Sequence, residues 1–211
     1  MSLVPPDRLP ERLARCIGGL ALFGTGIALI IAGDLGLAPW DVFHQGLSER
    51  TGLGIGTVII LVGVLLLLLW IPLHERPGIG TVLNALEIGL VVDLVLPHLP
   101  EPDGIVPRLA LMLGGVAVIA IGSGLYIGSG LGPGPRDGLM TGLARRGLSI
   151  RVARTAIELT VLVLGIALGG SAGLGTAVFA LGIGPLVQVT LPRLTMPAPA
   201  SRPPRALVGG R

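Results

Sequence analysis

Two stretches decide how this chain is read: LGLAPWDVFHQGLSER at residues 35–50 and, 96 positions later, LGPGPRDGLMTGLARR at residues 131–146. Each sets a Leu-Gly turn ahead of Pro-x-Asp and then Gly-Leu, and each is polar text between runs apolar enough to lie in a membrane. Sliding the chain on itself by 96 residues superposes Arg12 on Arg108, Gly18 and Gly19 on Gly114 and Gly115, Gly26 on Gly122, Gly36 on Gly132, Pro39 on Pro135 and Asp41 on Asp137. One deletion later, at an offset of 95, Gly78 meets Gly173, Gly80 and Thr81 meet Gly175 and Thr176, and Pro97 meets Pro192. The chain reads as one unit written twice, residues 12–107 and 108–192. An N-terminal tail (1–11) precedes the copies, and a Pro/Arg-rich tail (193–211) of disordered composition follows them.

Composition sets the solvent. Of 211 residues, 51% are hydrophobic and only 13% charged, with a mean hydropathy of +0.86, outside the range of soluble domains. A span needs about 20 apolar residues to cross roughly 30 Å of hydrocarbon. Six runs approach that length: 17–32, 57–73, 80–96, 109–128, 152–169 and 174–191. The arginines at the head of residues 1–32 resemble a secretory leader, but the same pattern recurs at 108–128, where a removable leader has no place. The expected fold is therefore an all-α polytopic membrane protein of six transmembrane helices.

Three spans per copy is an odd number, so consecutive copies enter the bilayer from opposite sides, which is the inverted-repeat arrangement. Arginine placement agrees. With both termini in the cytoplasm, only Arg50 and Arg108 fall outside, and the other basic residues lie on inner segments or inner span ends, as the positive-inside rule requires. The basic sequence pI of about 10.4 thus reports topology, and no nucleic-acid partner is expected. The expected location is the cytoplasmic (inner) membrane of a bacterium, multi-pass, with the bilayer itself as a partner.

Each Pro-x-Asp segment reads as a polar half-helix of about three turns. Pro39 and Pro135 suit the first helical position, Gly36 and Gly132 the preceding turn, and Asp41 and Asp137 the positive end of the helix dipole. Such a helix is either interfacial or re-entrant. In the re-entrant case its tip enters a cavity between the copies, where protein or water satisfies the non-helical backbone, and Asp41, Asp137, Trp40 and Arg136 become candidates for substrate contact. Within the spans, Glu87 with Asn84, and Glu158 with Arg154, are candidates for substrate binding or ion coupling, because a charge at mid-bilayer costs about 2.5–3.5 kcal/mol even on lenient scales. Arg154 and Glu158 can pair at i, i+4.

Other chemistry is excluded. Cys16 is the only cysteine, and His44, His74 and His98 have no ligand spacing, so neither metal nor cofactor is expected. No Walker, GxGxxG or HExxH motif is present. The GGSAG string at 169–173 matches GxSxG, but it joins two apolar runs instead of a strand and a helix, so Ser171 reads as part of a turn.

The segments GLAPWDVFHQGLSERTGLGIGTV, ERPGIGTVLNALEIGLVVD, GLGPGPRDGLMTGLARRGLSIRVARTAIELTV and GLGTAVFALGIGPLVQ resemble, over about residues 12–192, the YczE branch of the bacterial YczE/YyaS/YitT group of integral membrane proteins. The resemblance implies a cytoplasmic-membrane protein for which transport is suspected by architecture, and it offers no catalytic residues to carry over. The expectation is a secondary transporter, not an enzyme, that binds an unknown small molecule at the repeat interface and draws on a gradient. The alternative is a non-transporting scaffold or accessory subunit. A bundle of this size is also compatible with a homodimer.

Overall fold

A computed structural model describes residues 7–197, and these residues form helices and no strands. In chain order they are α1 (Leu9–Gly33), α2 (Pro39–Thr51), α3 (Ile55–Leu73), α4 (Ile79–Val95, prolonged by a 3₁₀ turn, Leu96–His98), α5 (Ile105–Gly128), α6 (Pro135–Ala144), α7 (Ile150–Leu168) and α8 (Leu174–Leu194). Five of them, α1, α3, α4 with its 3₁₀ turn, α5 and α8, are long and apolar enough to cross a membrane. The sixth expected span, α7, has 19 residues but carries Arg151, Arg154 and Glu158.

Glycine decides how α1 and α5 meet. A Cβ at Gly19 would stand 2.7 Å from the Gly122 carbonyl oxygen, and one at Gly122 would stand 2.6 Å from that of Gly19. Gly26 and Gly115 repeat the relation at 2.7 Å in both directions. Partner numbers fall as α1 numbers rise, so the helices run antiparallel, backbone on backbone, as small-residue faces allow. Their ends are tied in the same reciprocal way. Arg108, at the start of α5, donates to the Asp34 carboxylate (2.9 Å) just beyond α1, and Arg12, at the start of α1, donates to the Ser129 carbonyl (2.7 Å) just beyond α5.

The short helices are held by a second reciprocal set. Ahead of α2 the Leu35 carbonyl accepts from the Gly175 amide of α8 (2.6 Å), and ahead of α6 the Leu131 carbonyl accepts from the Gly80 amide of α4 (3.0 Å). Between carbonyl and helix the chain turns through Gly36 (φ 102°) and Gly132 (φ 129°), a left-handed conformation that glycine adopts freely. Packing then differs between the copies. Gly165 of α7 lies against the backbone of Val42 and Phe43 of α2, whereas at the positions offset by 95 and 96 Gly138 of α6 lies beneath the ring of Trp70 of α3.

One contact has no counterpart. Helices α3 and α4 close through Gly56 on the Gly89 carbonyl, and a Cβ at Gly63 would stand 3.2 Å from Ala85. Asp93 of α4 also accepts from the Gly56 amide (2.8 Å) and the Thr57 hydroxyl (3.1 Å), capping α3. At an offset of 95 the two α3 glycines become Arg151 and Glu158, too large for that approach. Helices α7 and α8 make no comparable contact, and Gly182 and Gly184 of α8 face open space.

The tails differ from expectation. Helix α1 already begins at Leu9, inside the expected N-terminal tail of residues 1–11, while residues 1–6 lie outside the described ones. The C-terminal segment expected to be disordered is ordered at its start. Helix α8 continues to Leu194, Met196 is buried with its amide on the Gly128 carbonyl (2.9 Å), and the Pro197 carbonyl accepts from Arg12 (2.8 Å). The cause is Arg12, 2% exposed, whose guanidinium needs acceptors and finds them in that backbone. Residues 198–211 lie outside the described residues.

Candidate functional site

Helices α2 and α6 begin as their sequences require. Ala38 and Gly134 are extended (ψ 152° and 159°), which the following proline demands, and Pro39 and Pro135 open the helices, where a missing N–H costs nothing. Neither helix lies on the surface. Trp40, Asp41 and His44 are 6%, 4% and 1% exposed, and α2 packs on α3 and α7 while α6 packs on α3, α4 and α7. Burying this much polarity in an apolar bundle requires internal partners.

Those partners surround a cavity of about 400 Å³, within the range of small-molecule sites. First turns of both short helices line it: Pro39, Trp40 and Asp41 from α2, Pro135, Arg136 and Asp137 from α6. Across the space, the Arg136 guanidinium carbon stands 4.7 Å from the Trp40 ring centroid, a cation-π contact. The Arg136 Nη2 lies 3.8 Å from Asp41 Oδ1, and the same carboxylate oxygen lies 3.3 Å from His44 Nδ1. Trp40 and Arg136 are equivalent positions, 96 residues apart, as are Asp41 and Asp137. The two polar segments therefore meet at their equivalent residues.

Asp41 contacts His44 and Arg136, and Asp137 accepts from the Tyr126 hydroxyl (3.5 Å).

Seven of the eight residues expected to bind or couple line the cavity: Asp41, Asp137, Asn84, Glu158, Arg154, Trp40 and Arg136. Arg154 and Glu158 also pair along α7 as their spacing requires (3.2 Å). Glu87 is the exception. It is half-buried, on the side of α4 toward Cys16 of α1, and does not line the cavity. Of the expected helix-start residues, Pro39 and Pro135 border the cavity, whereas Gly36 and Gly132 stay in the turns behind. Ser171 sits in the turn between α7 and α8, its amide on Gln45 Oε1 (2.7 Å) and its carbonyl on the Leu37 amide (3.1 Å).

Sequence reasoning missed His44, Tyr126, Ser123 and Gln188, which also line the cavity. For His44 the signal was its place one turn after Asp41. It also missed a groove of about 600 Å³ between the parted helices α7 and α8, which shares Pro39, Arg154 and Glu158 with the cavity. Glu158 borders both.

Comparison with known proteins gives relatives without an assigned activity. Residues 10–192 match a family of unknown function, DUF6198. An uncharacterized protein of Haemophilus influenzae is 40% identical over 173 residues, which is 82% of this chain and 79% of the relative. The uncharacterized membrane protein YczE of Bacillus subtilis is 36% identical, over 83% of each chain. The uncharacterized protein YyaS of the same organism is 29% identical, over 82% of this chain and 89% of its own. No solved structure matches.

Proposed function

The chain belongs to the DUF6198 family of membrane proteins, and from that premise we propose that it is a secondary carrier of a small molecule, built as an inverted repeat in the cytoplasmic membrane. Helices α1–α4 and α5–α8 are the two copies, inserted upside down to one another, with both termini in the cytoplasm. Helices α2 and α6 are re-entrant, and α7 is the sixth span, its Glu158 facing the cavity in place of lipid.

The observation that carries this reading is the Trp40–Arg136 stack, equivalent residues of the two halves in contact inside one cavity that both halves line. The reciprocal bonds of Arg12 and Arg108, and of Gly80 and Gly175, support a pseudo-twofold axis through the same place. In carriers of this type, half-helix tips converge on the substrate near mid-membrane and rocking of one bundle against the other gives alternating access. The position of the cavity supports this reading: it lies beside the middle parts of α3, α4, α5 and α8, touching Val62, Ala85, Ile119 and Ile183, and on this reading the α7–α8 groove is its opening. The pairing of charged helix tips with an aliphatic and aromatic wall suits binding and movement of a small molecule, so a carrier is preferred to an enzyme.

The test is uptake into proteoliposomes from a broad metabolite panel, with Asp41→Asn, Arg136→Gln and Glu87→Gln. The reading expects the first two variants to fold and lose uptake, and Glu87→Gln, outside the cavity, to retain it. Protein that moves no metabolite, and whose cavity variants merely unfold, would instead be a structural subunit of a larger membrane assembly.

A further inference from the structure

The chemistry left unpaired around the cavity narrows what it holds. On the donor side stands Arg136. It lies over the ring of Trp40, which forms part of the cavity wall, while the Trp40 indole Nε1 is buried away from that space. Among the described residues Arg136 makes no hydrogen bond, only its stack on Trp40 and the 3.8 Å approach to Asp41. A guanidinium presents five N–H groups in a planar fork suited to a carboxylate. Both side chains spring from the first turns of α2 and α6, whose free amides and dipoles add to the pull on an anion. Unmade hydrogen bonds at buried donors cost free energy, so this corner requires an acceptor that the protein does not supply.

The charge balance forbids a bare anion. The lining holds two guanidiniums, Arg136 and Arg154, against three carboxylates, Asp41, Asp137 and Glu158. An anionic ligand would widen the excess of negative charge in a site of low dielectric, where like charges repel most strongly. It must bring its own cation. Asp137 can receive one, because its only hydrogen bond from another side chain is the long one from Tyr126, and the aromatic faces of Tyr126, Phe23 and Phe179 border the same space. The remaining wall is aliphatic, including Ile59, Val62 and Leu66.

We infer that the cavity takes a small zwitterionic amino-carboxylate with an apolar body, its carboxylate on the Arg136 fork beside the Trp40 ring and its ammonium on the side of Asp137. This names the substrate class of the carrier and rests on that reading.

The experiment is thermal unfolding of the detergent-solubilised full chain, followed by Trp fluorescence, with three kinds of probe. Leucine and phenylalanine carry both charges, their amides keep only the cation, and 4-methylpentanoate and 3-phenylpropionate keep only the anion. A zwitterion near saturation should raise Tm by about 5–10 °C, and the amides and acids by little. Asp137→Asn retains the shape but not the charge, and Arg136→Lys retains the charge but not the fork. Both variants should fold and lose most of the zwitterion shift. If the acids or amides shift the protein as much as the zwitterions, with loss in Arg136→Lys, the ligand class is wrong and the binding site stands. If no amino-carboxylate shifts it while an unrelated metabolite does so through Asp41 and Arg136, the inference fails and the carrier reading survives. If no probe of any kind shifts the protein, both fall.

Discussion

The glycines at the α1–α5 crossing allow a sharp prediction, because neighbouring glycines in the sequence have opposite surroundings. At Gly19 a Cβ would stand 2.6 Å from the Tyr126 amide nitrogen and 2.7 Å from the Gly122 carbonyl, both backbone atoms, while at Gly18 it would meet nothing within 4 Å. The second copy repeats the contrast: Gly115 is closed by the Gly26 carbonyl at 2.7 Å, and Gly114 is open. Non-bonded carbons prefer separations of about 3.5–4.0 Å, so alanine at 19 or 115 forces the helices apart by roughly 0.7–1 Å, and a gap of that size forfeits a quarter to a half of each contact across the crossing. Overpacking of this kind costs about 1–3 kcal/mol, offset by up to about 1 kcal/mol of helix propensity. Alanine at 18 or 114 collects the propensity gain alone. At about 2–4 °C per kcal/mol, Gly19→Ala and Gly115→Ala should each lower Tm by about 2–8 °C. Gly18→Ala and Gly114→Ala should leave it unchanged or raise it by up to about 4 °C. Detergent-solubilised melts of the four single variants decide it. Equal effects at 18 and 19, or tolerance at 115, would refute the antiparallel backbone contact from which the symmetry is inferred.

Further outcomes follow from the same asymmetries. Arg12→Gln strips donors from three carbonyls, those of Asp7, Ser129 and Pro197, and should cost about 2–4 kcal/mol, whereas Arg108→Gln, its equivalent in a solvent-exposed pair with Asp34, should cost about 1 kcal/mol or less. Gly138→Val should clash with the Trp70 ring, and Trp70→Leu, which removes the ring, should relieve part of that clash, so the double variant should melt above the sum of the single losses, as a double-mutant cycle would register.

Much of the architecture could be read before any coordinate was known, because it depends on period and punctuation. A duplicated Pro-x-Asp fixes two helix starts, since proline and the turn glycine before it restrict the backbone locally, and both helices begin at the expected residues. Direction around a helix is a different matter. Asn84 and Glu87 lie three residues apart on α4, yet Asn84 lines the cavity and Glu87 stands toward α1. Only the packing of α1 and α6 on α4 separates them. His44 was passed over as a scattered histidine because its partnership with Asp41 matters only once α2 is buried. The parting of α7 from α8 was in principle visible. Arg151 and Glu158 stand where the first copy has Gly56 and Gly63, but a missing small-residue face gains meaning only when the closed α3–α4 pair is seen beside it.

The central claim is that the two halves are inserted in opposite senses, and sided labelling measures it most directly. In a Cys16→Ala background, single cysteines at Glu49 and Arg145, equivalent exposed positions at the far ends of α2 and α6, are treated in intact cells with a membrane-impermeant maleimide. The account predicts that position 49 reacts in intact cells and that position 145 reacts only after the membrane is opened. Reaction of both from the same side would contradict it.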